Sequence, residues 1–290
     1  MISLVKDNYI QSYGNGSNFK IEIDKLPTNF NNYFKESCKS AEEIYSLKQG
    51  NLNLLYSGGV DSEYTLNVFL HLNIPITPVI IKLNSEYNSH DLKYALDFCE
   101  SKNLKPIIID IDYEKFVNNG TMFDLSMTMK SSVPHYSTIA YGVSKLDGTI
   151  LLGDGEPYIS LNQETMTWDI VIYEYDYAMI NYFKNNNIYG TPHFNRYSPE
   201  MMIGYLSTTR MKELANNKHI GKLGSNSSKW IMYNEFSNFH LAERPKFHGM
   251  ELIEKCNIFN HESFSELKKI GQQWDGIYRK NYFEFIKEMA

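Results

Sequence analysis

Cysteine is scarce. Cys38, Cys99 and Cys256 are the only three in 290 residues, and no two stand at CxxC spacing. That excludes a disulfide framework and a zinc knuckle. The eight histidines show neither HExxH nor HxH spacing, so no zinc site is expected from them either, and His135 reads as structural. Long apolar runs are missing, and the N-terminus "MISLVKDNYIQSYGNG" has no signal-peptide core, so neither a membrane span nor export is expected; cytosol is the expected location. A surplus of positive charge is missing too. The net charge of −6 does not suit a protein held to nucleic acid by many phosphate contacts. No internal repeat or low-complexity segment is present.

Aromatic rings are plentiful, at 14% of the chain, which points to a ring-rich core. Trp168, Trp230 and Trp274 lie on apolar stripes and are read as core, as is Cys38 on the stripe of "NNYFKESCKSAEEIY". From residue 51 strands and helices alternate. "NLNLLY", "ITPVIIKL", "KPIIIDID" and "GTILLG" read as strands; "SEYTLNVFLHL", "SHDLKYALDFCESKN" (capped by Ser89) and "VPHYSTIAYGVSKL" read as helices. The alternation predicts an α/β fold with a largely parallel sheet covered on both faces. Residues 1–50 read as a small β-hairpin followed by a helix. Residues 51–160 read as the nucleotide-binding part and 161–290 as a mostly helical acceptor-side region. "PYISL" and "MTWDIVIYEY" form an expected antiparallel pair, with Tyr173, Tyr175 and Tyr177 on one strand face. "SPEMMIGYLSTTRMKELANN" and the long C-terminal "ESFSELKKIGQQWDGIYRKNYFEFIKEM" are expected to be helical in outline.

The stretch "LLYSGGVDSEYTL" ends the first of these strands on Ser57, Gly58 and Gly59 and restarts at once as a helix. Two glycines allow positive φ and bring backbone N–H groups close to a ligand. Successive N–H groups make an anion nest, and the helix start adds unpaired donors and a positive dipole end. Ser57, Val60 and Ser62 complete a phosphate cradle. It is not the Walker loop, because the GxxxxGK[ST] spacing and its Lys are absent. Asp61 inside the cradle makes sense beside phosphates when a cation bridges the two.

SGGVDS resembles the PP-loop of the N-type ATP pyrophosphatases, which cleave ATP between the α- and β-phosphates and transfer AMP to an oxygen. The nearest likeness is to the synthetase domain of asparagine synthetases. It is carried by "YSGGVDS", "PVIIKLNSEYNSHDLKYALDF", "SSVPHYSTIAYGV" and "ILLGDGEPYI" across roughly residues 50–160, with an echo at "YSPEMMIGYL". The likeness implies an adenine nucleotide alpha hydrolase-like core and ATP with Mg²⁺ as cofactors. It implies adenine against the backbone of Ile81 and Leu83, and a nucleotide-facing turn at Gly153, Asp154 and Gly155. Asp61, Asp154 and Glu156 are the implied metal ligands. No glutaminase domain is expected, since the chain opens on Met1 and Ile2. Pro157 stands where the family carries a metal-binding Asp; Asp154 and Glu156 are close enough to substitute, and a rebuilt metal site is expected ahead of a diverged acceptor half.

A cation is expected opposite the loop to neutralise the pyrophosphate. Arg210, Lys229 and Lys246 are the candidates for that catalytic role, with Arg244 and His248 nearby in sequence. The expected partners are a small carboxylate or carbonyl acceptor and ammonia or an amine, without a membrane and without nucleic acid. Two other readings stay open: a tRNA-modifying enzyme that adenylates a base, and a non-catalytic nucleotide-binding relative.

Overall fold

The buried strand at the start of the α/β region has no polar side except one. Leu52, Leu54 and Leu55 are all buried, and Asn53 anchors its amide to the Asp147 carbonyl at 2.8 Å. Such a strand is stable only inside a sheet covered on both faces. The computed structural model describes residues 4–5, 8–216, 229–245 and 249–289 and shows that arrangement.

The chain opens with the hairpin β1 (Ile10–Tyr13) and β2 (Lys20–Ile23), antiparallel as expected, then helix α1 (Tyr33–Leu47). Next come β3 (Leu52–Leu55), α2 (Val60–His71), β4 (Thr77–Leu83), α3 (Ser89–Ser101) and β5 (Ile107–Ile111). Two helices absent from the sequence reading follow, α4 (Tyr113–Asn118) and α5 (Thr121–Met129), then α6 (Pro134–Val143) and β6 (Thr149–Leu152). The second half contains β7 (Tyr158–Asn162), β8 (Thr167–Tyr173), α7 (Ala178–Asn185), β9 (Gly190–Thr191), α8 (Pro199–Leu206) and α9 (Thr209–Asn216). It closes with α10 (Lys229–Asn234), α11 (Glu262–Gly271), β10 (Ile277–Asn281) and α12 (Tyr282–Met289).

The main sheet is parallel throughout, in the order β5-β4-β3-β6-β9. Alternate residues feed two separate cores, as a pleat of period two requires. Leu54, Tyr56, Ile80 and Leu151 pack with α1, α2, α3 and α8 on one face. Leu55, Val79, Ile150 and Leu152 pack with α5, α6 and α7 on the other. The chain leaves β3 toward β4 on one side and returns through β6 on the other. The mouth between β3 and β6 is therefore the switch point, where α/β sheets bind ligands. Among the described residues, no helix is long and apolar enough to cross a membrane.

Three expectations for the second half are corrected. The C-terminal stretch is not one helix: β10 intervenes and pairs antiparallel with β8, which itself pairs with β7. Trp274, Tyr278, Tyr282 and Phe285 recur every three or four residues and imitate a helical stripe, although Tyr278 belongs to the strand. Gly276 marks the break, its N–H donating to Glu174 Oε2 at 3.0 Å. The tyrosine ladder also ends early. β8 stops at Tyr173, because residues 174–177 form a single 3₁₀ turn tied by the Tyr173 N–H to Asp176 Oδ2 at 3.0 Å. Finally, α8 and α9 are separate helices, split at Ser207 and Thr208. Trp168 and Trp274 are buried as expected, with Trp230 partly buried against the core.

Candidate active site at the switch point

β3 delivers the chain to Ser57, which is exposed, and Gly58, which is buried. Only one of the two loop glycines uses positive φ. Gly58 has φ +80°, and a Cβ there would lie 2.6 Å from Ala95 N, so the bend is pressed against α3. Gly59 sits at φ −72°, ψ 158° as the N-cap of α2 and makes no side-chain cap bond. The helix starts at Val60, two residues earlier than its apolar pattern suggests. Ser57 Oγ and Ser62 Oγ lie 3.2 Å apart across the bend. Arg244 donates to the Gly58 carbonyl, pairs with Glu63 and lies 5.1 Å from the Tyr94 ring centroid, so it braces the loop from behind.

The turn after β6 meets this loop side-on. Gly153 packs so tightly on α2 that a Cβ would come within 2.6 Å of Ser62 Cα. Asp154 follows, its carboxylate accepting from the Gly155 N–H at 2.9 Å, and then Glu156.

From the helical side, α10 places Lys229 into the gap. Its Nζ donates to Asp61 Oδ2 at 2.9 Å and also to Glu156 Oε1. Tyr233, one turn on, donates its hydroxyl to Asp61 Oδ1 at 2.6 Å. The Lys229 side chain is 7% exposed, that of Glu156 10% and that of Asp61 25%. Burial alone lowers the Lys229 ammonium, but the Asp61 and Glu156 charges outweigh it and hold the group above its ordinary range. Burial, then the Asp61 charge, push the Glu156 carboxyl up to about 8 against the pull of Lys229. Glu156 Oε2 is buried with no hydrogen-bond partner among the described residues.

Below this cluster lies a floor of rings. Tyr64 and Tyr233 stack at 4.3 Å and 14°, and Tyr33 from α1 stacks on Tyr64 at 5.3 Å. Tyr205 meets Tyr33 edge-on at 5.1 Å. Burial and then Asp61 hold the Tyr233 phenol well above its usual range, so it remains a donor to Asp61.

The expected residues separate into groups. Asp61, Glu156 and Lys229 are brought together at the mouth, beside Ser57, Gly58, Gly59, Val60 and Ser62. Lys229 Nζ occupies the space in which an ion bridging Asp61 and Glu156 would lie. Among the described residues, no three His, Cys, Asp or Glu side chains group around a metal position. Asp61 and Glu156 are instead bridged by the Lys229 ammonium, and the Asp154 carboxylate accepts from the Gly155 N–H. Arg210 pairs with Glu213 on its own helix at 3.3 Å. Lys246 and His248 lie outside the described residues.

The backbone of Ile81 and Leu83 is already engaged. β3 ends opposite Val79, where the Tyr56 N–H donates to the Val79 carbonyl at 2.8 Å, so β4 runs on with a free edge. Asn88 fills that edge: its Oδ1 accepts from Leu83 N–H at 2.9 Å and its Nδ2 donates to the Ile81 carbonyl at 2.8 Å. Asn88, not Ser89, is the residue ahead of α3, and it turns its amide back to the strand. Sequence reasoning missed Asn88 and Tyr233. An Asn ahead of a helix reads as a cap, and a Tyr on a ring-rich helix reads as core.

A second opening lies beside Glu156. Asp154, Glu156, Asp176, Tyr158, Tyr173 and Tyr175 line a cavity of ≈ 130 Å³ together with His193 and Arg196.

No protein-family model matches the chain, and no curated protein does. Among solved structures, it is similar to a predicted subunit of tRNA methyltransferase from Methanocaldococcus jannaschii, at 17% identity over 60% of this chain and 82% of that one, TM-score 0.31. It is similar to NMN synthetase from Francisella tularensis, at 14% identity over 80% and 94%, TM-score 0.34. A third likeness is to NH₃-dependent NAD synthetase from Campylobacter jejuni, at 15% identity over 83% and 92%, TM-score 0.34. All three are distant in both sequence and shape.

Proposed function

We propose that this chain is an ATP-dependent, AMP-forming ligase that adenylates a carboxylate or carbonyl acceptor for attack by ammonia or an amine. The observation that carries the reading is the Ser57–Gly59 bend. It leaves β3 at the switch point and opens directly into the side-chain-uncapped start of α2, with a buried lysine one residue shell away. The first N–H groups of α2, around Val60, Asp61 and Ser62, receive the phosphates of ATP, which arrives as its magnesium complex. Lys229 neutralises charge as pyrophosphate leaves, and Asp61 with Tyr233 fixes the lysine in place. Gly153, Asp154 and Gly155 form the nucleotide-facing turn beside the loop. Catalysis on this reading is positioning and electrostatics.

Cys99 is buried in the core on one face of the sheet, while Cys256 packs against the core on the other. They are not an apposed pair, and burial pushes the Cys99 thiol up to about 11. A sulfur-transferring tRNA enzyme therefore draws no support from the thiols.

The test is pyrophosphate release from labelled ATP, with pooled small carboxylates and ammonium in one arm and tRNA in the other. Release is expected in the first arm and is lost in Asp61→Asn, whose near-isosteric side chain keeps the fold. Release only with tRNA would sink the ligase reading. ATP binding with no release in either arm would point to a nucleotide-binding protein without chemistry.

Adenine at Ile81 and Leu83 requires the Asn88 amide to withdraw, because it offers the same donor and acceptor pair as the base. Asn88→Ala is thus expected to tighten adenine nucleotide binding roughly tenfold, the worth of one or two hydrogen bonds. Titration calorimetry with a non-hydrolysable analogue measures it. Unchanged affinity would place adenine elsewhere.

A further inference from the structure

Both oxygens of Asp61 are engaged by protein. Oδ1 accepts from the Tyr233 hydroxyl at 2.6 Å, and Oδ2 accepts from Lys229 Nζ at 2.9 Å. Glu156 Oε1 accepts from the same ammonium, and Oε2 is enclosed with no hydrogen-bond partner among the described residues. The Asp154 carboxylate accepts from the Gly155 N–H at 2.9 Å. A Mg²⁺ ion needs ligand oxygens at about 2.0–2.1 Å in octahedral array. Asp61 and Glu156 turn their oxygens instead on one ammonium, a compact point charge with three donors.

The docking of α10 holds Lys229 in that position. Tyr233 stacks on Tyr64 at 4.3 Å, and its carbonyl accepts from the Ser237 hydroxyl at 2.6 Å. The Asn234 side chain exchanges two hydrogen bonds with the Leu241 backbone, at 2.8 and 2.9 Å. Glu235, just past the helix, accepts from the Thr209 N–H at 2.7 Å and ties α10 to the start of α9. Three successive residues therefore fix the helix that carries the lysine. The lysine side chain is 7% exposed where it meets Asp61.

We propose that Lys229 is the resident cation of this cluster: it takes the position of a protein-held Mg²⁺ and bars divalent ions from Asp61 and Glu156 in the nucleotide-free protein. A divalent ion would have to displace an ammonium that donates to both carboxylates. It would leave that ammonium buried without a partner, which is strongly unfavourable. As they stand, the acidic residues at the mouth do not fit a Mg²⁺ ion held by the protein alone. Magnesium enters on the triphosphate, as its complex. That last statement rests on the ligase reading, while the exclusion itself stands on the cluster.

The experiment uses the full chain without nucleotide and Mn²⁺ as the probe, since Mg²⁺ and Mn²⁺ both take octahedral oxygen ligands. Binding is followed by loss of the free-ion signal in electron paramagnetic resonance. The wild-type protein is expected to show no site that Asp61→Asn abolishes. Lys229→Ala leaves two carboxylates with space between them. It is expected to gain a Mn²⁺ site about tenfold or more tighter than any wild-type binding, because affinity follows the charge of the ligand set. Adding Asp61→Asn to Lys229→Ala removes that site again. Melting curves give a second readout for an alanine variant too unstable to titrate: Mn²⁺ raises its Tm and leaves that of the wild type unmoved. Wild-type binding that Asp61→Asn removes overturns the proposal. So does a Lys229→Ala protein that neither takes up Mn²⁺ nor is stabilised by it. If pyrophosphate is released from ATP and the wild-type cluster binds Mn²⁺ without nucleotide, the exclusion fails and the ligase reading stands. If the cluster behaves as expected and ATP is never cleaved, the exclusion stands and the ligase reading fails.

Discussion

Lys229→Met is expected to melt about 6–15 °C below the wild-type protein at pH 8, the equivalent of about 3–5 kcal/mol for stripping one partner from a buried charge cluster. Methionine fills most of the same volume, so the loss is electrostatic. Asp61 and Glu156 would then face each other across a buried gap with no cation between them. The pair itself is no net stabiliser, because taking three charges out of water costs about what their attraction returns. Breaking it is what hurts.

The effect has a pH dependence whose sign follows from Glu156. Its carboxyl is raised in the folded state, by burial first and Asp61 second, to about 8 from an ordinary value of 4.5. A raised acid favours the folded state fully below its unfolded pKa, and that contribution is lost as pH climbs toward the folded value. Wild-type stability therefore declines from Glu156 between about pH 4.5 and 8. Without Lys229 the folded value rises further, and the decline continues past pH 8. The Tm gap between variant and wild type should be larger at pH 8 than at pH 5 in a differential scanning series. A variant within a degree of wild type at both pH values would mean that the lysine is not between the carboxylates in solution.

Gly58→Ala should cost about 2–5 kcal/mol, adding the left-handed backbone penalty to the clash with α3. Both causes are visible: φ is +80°, and the new Cβ would stand 2.6 Å from Ala95 N and 3.1 Å from Tyr94 Cβ. Neither neighbour is the free end of a flexible chain. Relief must come from moving the bend, which displaces the N–H groups of α2 as well. Gly59→Ala is the control. Its φ is −72°, its nearest foreign atom is Ser57 Oγ at 3.3 Å, and it is exposed, so it should change stability by about 0.5 kcal/mol or less. Urea unfolding of the two variants separates them. Equal losses would show that the bend is not held in the left-handed conformation.

The parallel sheet could be read from the chain because its strands are short apolar runs punctuated by turns. Each of the four named runs became a strand. The fifth, β9, was invisible: two residues, Gly190 and Thr191, carry no pattern of their own and join the sheet because β6 leaves an edge open. The C-terminal region misled for the opposite reason, since its aromatic residues obey helical spacing across a strand. At the site, the Ser57–Gly59 bend and Asp61 were legible because Gly-Gly followed by Asp is an unusual thing to place at a strand end, whereas Glu156 entered only through the resemblance carried by "GDGEPY". Lys229 was legible only as one cation among several, because which of them reaches the loop is decided by how α10 docks. The Asn88 amide and the Tyr233 hydroxyl were not legible. Their roles depend on the length difference between β3 and β4 and on a ring stack assembled from four separate helices.

That ring stack changes where the working unit begins. Tyr33 comes from α1, well ahead of the first core strand, yet its ring lies against Tyr64 and Tyr233, and Tyr233 holds Asp61. Trimming the chain at residue 50 would remove a paving stone from under the aspartate. The leading segment is foundation, and an excised nucleotide core should lose the pose of its acidic residue before it loses its sheet.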